Sequence, residues 1–117
     1  MQPVPSLDEE ALAKLLRIGG PKFAVNMVDL FLDFAPTKLA AAMAAERKGD
    51  WQGVEDAMHP LRTCAGHVGA LAVRTLAVEI EDLAHVGDGA AISERLTALE
   101  RALAKVKPLL EEKRAAF

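Results

Sequence analysis

The feature that most restricts this chain is the spacing of Ile92, Leu96, Leu99, Leu103, Val106 and Leu110. Steps of four and three residues return to one face of an α-helix, and an unbroken run of them is the pattern of a bundle seam. A helix with such a stripe must bury it against other helices, and the rest of the chain offers them. Val54, Ala57, Met58, Leu61, Cys64, Ala65 and Val68 form a second stripe, and Leu76, Ala77, Ile80, Leu83 and Ala84 a third. Phe23, Met27, Leu30, Phe31, Phe34, Leu39 and Met43 mark the buried side of another segment.

Turn signals divide these stripes. Gly49 stops a helix that starts near Pro21, and Asp50 caps the next, which should last to His67 or Val68. Gly69 offers the turn into a helix from Ala70 to about Val86, and Gly87-Asp88-Gly89 makes the turn into the last. Pro36 predicts a kink or brief break, and Pro108 should bend or fray the final turns. Ahead of these, Ser6-Leu7-Asp8-Glu9 reads as a capping box with Ser6 at the N-cap. It opens a short helix with Leu7, Ala11, Leu12, Leu15 and Leu16 on its apolar face, ended by Gly19-Gly20-Pro21. Met1–Pro5 reads as a disordered or extended lead. Connections this short force neighbouring helices antiparallel. The predicted fold is all-α: an up-down antiparallel four-helix bundle with a short additional N-terminal helix. Residues 1–117 make one domain, its bundle core at about 21–113.

Composition agrees and excludes several functions. The chain is 51% hydrophobic yet has no tyrosine, and alanine and leucine supply most of the apolar total, which favours helices over strands. A net charge of −3 argues against nucleic acid as a partner. The lone Cys64 forms no internal disulfide and fits a reducing compartment. Neither a signal peptide nor an apolar run of about 18 residues is visible, so a cytoplasmic protein with no membrane partner is expected. The starting Met and tidy ends favour a stand-alone module, with monomer the default.

The second stripe carries the chemistry. On a helical wheel His59 points roughly 160° from Leu61, onto the wet face. Its neighbours are Gln52 and Glu55 below, and Arg62, Thr63 and Gly66 above. An imidazole with a cation one turn away and a glycine above it is placed to be reached by something else.

His59-x-Leu61-Arg62-x-x-Ala65-x-x-x-Gly69-Ala70 resembles the signature of histidine-containing phosphotransfer domains, His-x-Leu-Lys-Gly-x-Ala-x-x-x-Gly-Ala. Gly49-Asp50, Ile80-Glu81-Asp82-Leu83-Ala84 and Gly87-Asp88 sit where that family has similar pieces. The resemblance implies a phosphorelay intermediate without kinase activity. His59 would accept a phosphoryl group from a receiver-domain aspartate and return it to an aspartate on another receiver. The partners implied are receiver domains of response regulators and/or a hybrid histidine kinase. No cofactor is implied on this chain, since the receiver would bring the Mg²⁺.

Arg62 stands where the family has lysine; it keeps the charge and can hold a phosphate bidentately, or else pair with Glu55 or Asp56. Glu55, Thr63 and Gly66 would shape the docking surface. Thr63 replaces a usual glycine and adds bulk, while Gly66 either clears room for a partner or lets a neighbouring helix pack closely. Pro60 is the chief departure, removing a helical hydrogen bond and predicting a kink beside the histidine. Pro60 and Thr63 support an alternative, an adaptor of the same fold that binds a receiver or other signalling partner without phosphorylation. His67 and His85 fall in last turns, where a cation favours the helix dipole. Glu81 with His85, or Cys64 with His67, does not make the paired Glu-x-x-His pattern of a bundle metal centre, so no metal site is expected. Glu79, Glu81 and Asp82 read as a solvated helix face rather than a catalytic pair.

Overall fold

In a computed structural model that describes residues 4–117, four helices make up the architecture: α1 (Glu9–Arg47), α2 (Trp51–Val68), α3 (Leu71–Val86) and α4 (Gly89–Ala115). Each helix packs against its chain neighbours, and α4 closes the ring against α1. The links Lys48–Asp50, Gly69–Ala70 and Gly87–Asp88 are so short that each must reverse the chain, which gives an up-down bundle. No strand occurs among the described residues.

The caps explain the boundaries. Asp50 accepts a hydrogen bond from the Gly53 amide at 2.9 Å, and Asp88 accepts one from Ala91 at 3.2 Å, satisfying first-turn donors of α2 and α4. At the N-terminus Asp8, not Ser6, is the cap: its carboxylate accepts from the Glu10 amide at 3.1 Å, so α1 starts at Glu9.

No separate short N-terminal helix is resolved. Gly20 does leave helical geometry, with φ 84° and ψ −178°, and Pro21 follows it, as the turn signal suggested. The two pieces nevertheless run on as one kinked element, because a single glycine residue absorbs the bend. Pro36, Pro60 and Pro108 all lie inside helices that continue past them. α1 therefore runs through Pro36 without a break, and α2 runs unbroken through Pro60. Beyond Pro108 the end of α4 is tied down: Arg114 donates to Asp29 of α1 at 2.5 and 3.0 Å, and Lys113 pairs with Glu9. The Arg114 guanidinium holds the Asp29 carboxyl below its usual range. Of the irregular lead expected over Met1–Pro5, residues 1–3 lie outside the described residues, and Val4 and Pro5 have no regular structure.

The stripe of α2 is buried as its spacing requires, with Val54, Ala57, Met58, Leu61, Ala65 and Val68 in the core and Cys64 half-buried. It meets Val73, Ala77, Ile80 and Ala84 of α3 and Ile92, Leu96, Leu99, Val106 and Leu110 of α4. In α1 the outcome differs. Ala24, Val28, Phe31, Ala35, Leu39 and Ala42 face the core, whereas Leu30 is 61% exposed and Phe34 half-buried. Alanines fill α1's inward stripe, and the bulky pair Leu30 and Phe34 is turned aside.

One turn locks the hairpin of α2 and α3. Gly69 has φ 77°, and a Cβ placed on it would lie 2.3 Å from the Asp8 carbonyl oxygen. The Asp8 amide donates to the Gly69 carbonyl at 2.7 Å, so the start of α1 is docked on this turn. Gly69→Ala should therefore lower the unfolding free energy in urea by about 2 kcal/mol or more, from a left-handed backbone plus a clash. Gly49→Ala, at φ 69° with open space around it, should cost about 1 kcal/mol. Equal losses would show that the contact with Asp8 carries no weight.

Candidate functional site

His59 stands midway along α2 with its side chain 64% exposed. Its Nδ1 lies 2.9 Å from Glu81 Oε2 on α3. The other carboxylate oxygen of Glu81 receives Arg62 at 3.0 Å. Glu81 itself is only 17% exposed, so one half-sheltered carboxylate anchors both the imidazole and the guanidinium. An ionised carboxylate can only accept hydrogen bonds. The neutral ring facing it must carry its proton on Nδ1, which leaves the lone pair on Nε2, across the ring from Glu81.

Helix register puts these groups together. His59 and Glu81 each lie eleven residues from Ala70, on opposite arms of the antiparallel hairpin. One turn farther out, Glu55 and His85 are each fifteen residues from it, and they too meet, with Nδ1 3.3 Å from Oε1. Glu55, Asp56, His59, Glu81, Asp82 and His85 line a single open groove between α2 and α3. Glu81, which the sequence placed on a solvated helix face, is instead the half-sheltered partner of His59 and Arg62 that helical-wheel reasoning missed. A wheel treats one helix at a time, and the signal that finds Glu81 is its distance from the turn.

The remaining residues fall as follows. Arg62 pairs with Glu81 and not with Glu55 or Asp56. Thr63 is exposed, and its hydroxyl makes a long 3.4 Å hydrogen bond to the His59 carbonyl. A Cβ on Gly66 would come within 3.3 Å of Arg74 Cδ, so this glycine makes room for an α3 side chain to lie across α2. On the side away from the groove, Leu30, Phe34, Pro60, Cys64 and His67 line an apolar hollow between α1 and α2. Burial pushes the Cys64 thiol up from its ordinary value. Among the described residues no group of three or more His, Cys, Asp or Glu side chains is arranged to hold a metal ion.

The sequence matches the Hpt domain family over residues 26–108, most of the chain, and the protein belongs to that family of histidine-containing phosphotransfer domains. Its place is that of a phosphorelay intermediate, a phosphoryl carrier between receiver domains rather than an enzyme with a kinase activity. The fold is shared with solved structures. Histidine-containing phosphotransfer protein B from Pseudomonas aeruginosa superposes with a TM-score of 0.90 at 24% identity, over 97% of each chain. A putative histidine-containing phosphotransfer protein from rice gives 0.82 at 16% identity, over 94% of this chain and 80% of that one. The HPT domain of a Shewanella hybrid histidine kinase gives 0.79 at 17% identity, over 96% of each. No curated protein matches the sequence significantly.

Two outcomes follow from this geometry. Nitrogen NMR of the neutral His59 ring should report the Nδ1–H tautomer in the wild type and a mixture in Glu81→Ala, and an unchanged spectrum would mean that Glu81 does not set the tautomer. Cys64 should react with a disulfide reagent at pH 8 more slowly than a free cysteine, because less of it is thiolate.

Proposed function

We propose that His59 is the residue that carries the phosphoryl group, with Nε2 as the nucleophile. The observation supporting this most directly is the bond from His59 Nδ1 to Glu81, which leaves an exposed Nε2 as the free lone pair. In the transfer, Nε2 attacks the phosphorus of a receiver's aspartyl phosphate. The N–P bond forms, the acyl O–P bond breaks, and the aspartate leaves as a carboxylate. The ring keeps its Nδ1 proton and so becomes a phosphorylated imidazolium, whose positive charge faces Glu81. The step reverses on a second receiver, where imidazole leaves and an aspartate takes the phosphorus.

Phosphoryl transfer of this kind needs positioning and charge balance more than covalent machinery. Glu81 positions the ring. Arg62, on the same face one turn away, balances the charge of the incoming group. Glu55 and Thr63 border the docking surface, and Gly66 serves the packing of Arg74. Mg²⁺ arrives with the receiver. The chain works in the cytoplasm as a monomer, exchanging phosphoryl groups with receiver domains of response regulators and/or a hybrid histidine kinase; no described helix is long and apolar enough to cross a membrane, which is compatible with that placing. Residues 1–117 act as one domain.

The test is phosphotransfer to the purified chain from a panel of phosphorylated receivers. Wild type should gain an acid-labile, alkali-stable label, and His59→Gln none. Arg62→Ala should slow labelling about ten-fold, the loss of one charge-assisted hydrogen bond, while Arg62→Lys retains most of the rate. A folded wild type that binds a receiver yet takes no label, with His59→Gln binding equally well, would overturn the relay and leave the adaptor.

A further inference from the structure

The groove between α2 and α3 is built from one short motif used twice. Glu55-Asp56-x-x-His59 on α2 and Glu81-Asp82-x-x-His85 on α3 carry the same residue types at the same spacing, 26 residues apart. All six side chains line the groove. Because the helices run antiparallel, the two motifs face each other about an approximate two-fold axis, and their contacts cross. His59 Nδ1 reaches Glu81 at 2.9 Å, and His85 Nδ1 reaches Glu55 at 3.3 Å. The relay uses one half of this arrangement and leaves the other half without a role.

His85 obeys the same chemistry as His59. A carboxylate only accepts, so the neutral ring facing Glu55 carries its proton on Nδ1 and its lone pair on Nε2. The ring is more open than that of His59, 82% exposed against 64%, while Glu55 is nearly as sheltered as Glu81. The surroundings differ in one respect. The same 26-residue offset carries Arg62 onto Asp88, the N-cap of α4, whose carboxylate accepts from the Ala91 amide. His85 thus has the orienting carboxylate of His59 but an anion in the place of its cation.

We propose that His85 is a second phosphorylation site of this chain, its Nε2 taking a phosphoryl group from a small phosphoramidate donor. The lone pair attacks phosphorus, a new N–P bond forms, and the donor's own N–P bond breaks. Ammonia leaves with the hydrogens it carried, the ring keeps its Nδ1 proton, and the resulting imidazolium faces Glu55. In the proposed relay a receiver brings its aspartyl phosphate to His59 by docking; a free donor needs no docking and reaches any exposed ring. Arg62 makes His59 the faster of the two, and Glu55 makes His85 faster than a histidine that lacks a carboxylate. His67 is such a histidine: it is exposed, borders the apolar hollow, and makes no ion pair among the described residues. The assignment of His85 does not require His59 to be the relay's acceptor.

The experiment incubates the whole chain with phosphoramidate at neutral pH, digests it with trypsin in mild alkali, and follows phosphate on each peptide by mass spectrometry. Cuts at Lys48, Arg62, Arg74 and Arg95 leave the three histidines on three different peptides. His59 should label fastest, His85 about ten-fold more slowly for want of one charge-assisted hydrogen bond, and His67 about five-fold more slowly again for want of a carboxylate. Glu55→Ala should bring His85 down to the rate of His67. Nitrogen NMR of the neutral His85 ring should show the Nδ1–H tautomer in the wild type and a mixture in this variant, and thermal melts by circular dichroism verify that it folds. Equal labelling of His85 and His67 in the wild type, which needs no variant, would overturn the proposal, as would an unchanged His85 rate in folded Glu55→Ala. Each histidine is read on its own peptide, so the two assignments fail separately. An unlabelled His59 beside a labelled His85 would strike the relay's acceptor and leave the second site, and the converse result would strike the second site alone.

Discussion

The reversal of the chain at Gly69–Ala70 is the constraint on which the rest depends. Gly69 takes a left-handed backbone where a side chain would strike the Asp8 carbonyl, and Ala70 is wholly buried. From that point α2 and α3 run back along one another in a fixed register, and the register decides who faces whom. Moving α3 by one residue would turn Glu81 about 100° around its helix and away from His59. The same slip would lift Ile80, Ala77 and Ala84 out of the core, where they are almost wholly inaccessible. The burial of apolar side chains below the surface thus holds a polar contact above it. The exposed ion pairs need contribute little to stability themselves, as is usual for solvent-facing pairs.

This division of labour explains how much could be read from the sequence. The stripes of α2 and α4 were legible because each is a strict local pattern, and all but Cys64 and Leu103 of their members are buried. His59 was legible for the converse reason: a histidine opposite a clean apolar stripe has to face water. α1 was not so readable. Its inward stripe is Ala24, Ala35 and Ala42 interleaved with Val28, Phe31 and Leu39, and hydrophobicity alone ranks Leu30 and Phe34 above any alanine. Small residues are chosen where helices approach closely, which is a property of the neighbour and not of the helix itself.

The prolines and glycines show the same limit. A kink or brief break was expected at Pro36 and a kink at Pro60, and both helices continue past these residues with buried side chains on either side. The N-terminal stop at Gly19-Gly20-Pro21 was read at the right residues, yet it bends one element instead of dividing two. Gly66 admitted two readings in the sequence, and the approach of Arg74 from α3, which favours the packing one, belongs to the neighbouring helix. Glu81 needed the least additional information. Once the turn is placed at Gly69–Ala70, counting outward along both arms brings it opposite His59.

In the proposed transfer, Glu81 holds two cations of different kinds, and that matters for reversibility. Arg62 is permanently charged, while the His59 ring becomes fully cationic only when Nε2 bonds to phosphorus. Before transfer the carboxylate is divided between them. The arriving phosphoryl group offers Arg62 a stronger acceptor, and at 37% exposure the guanidinium is free enough to turn toward it. Glu81 is then left to the imidazolium alone, at the moment when the ring carries its positive charge. In the return step the ring leaves phosphorus as neutral imidazole, its Nδ1 proton retained, so no proton has to be supplied or removed for the transfer to reverse. A carrier must hold its cargo without keeping it, and in the proposed transfer a single carboxylate shared between a fixed and a transient cation steadies the ring in both states without bonding to the phosphoryl group.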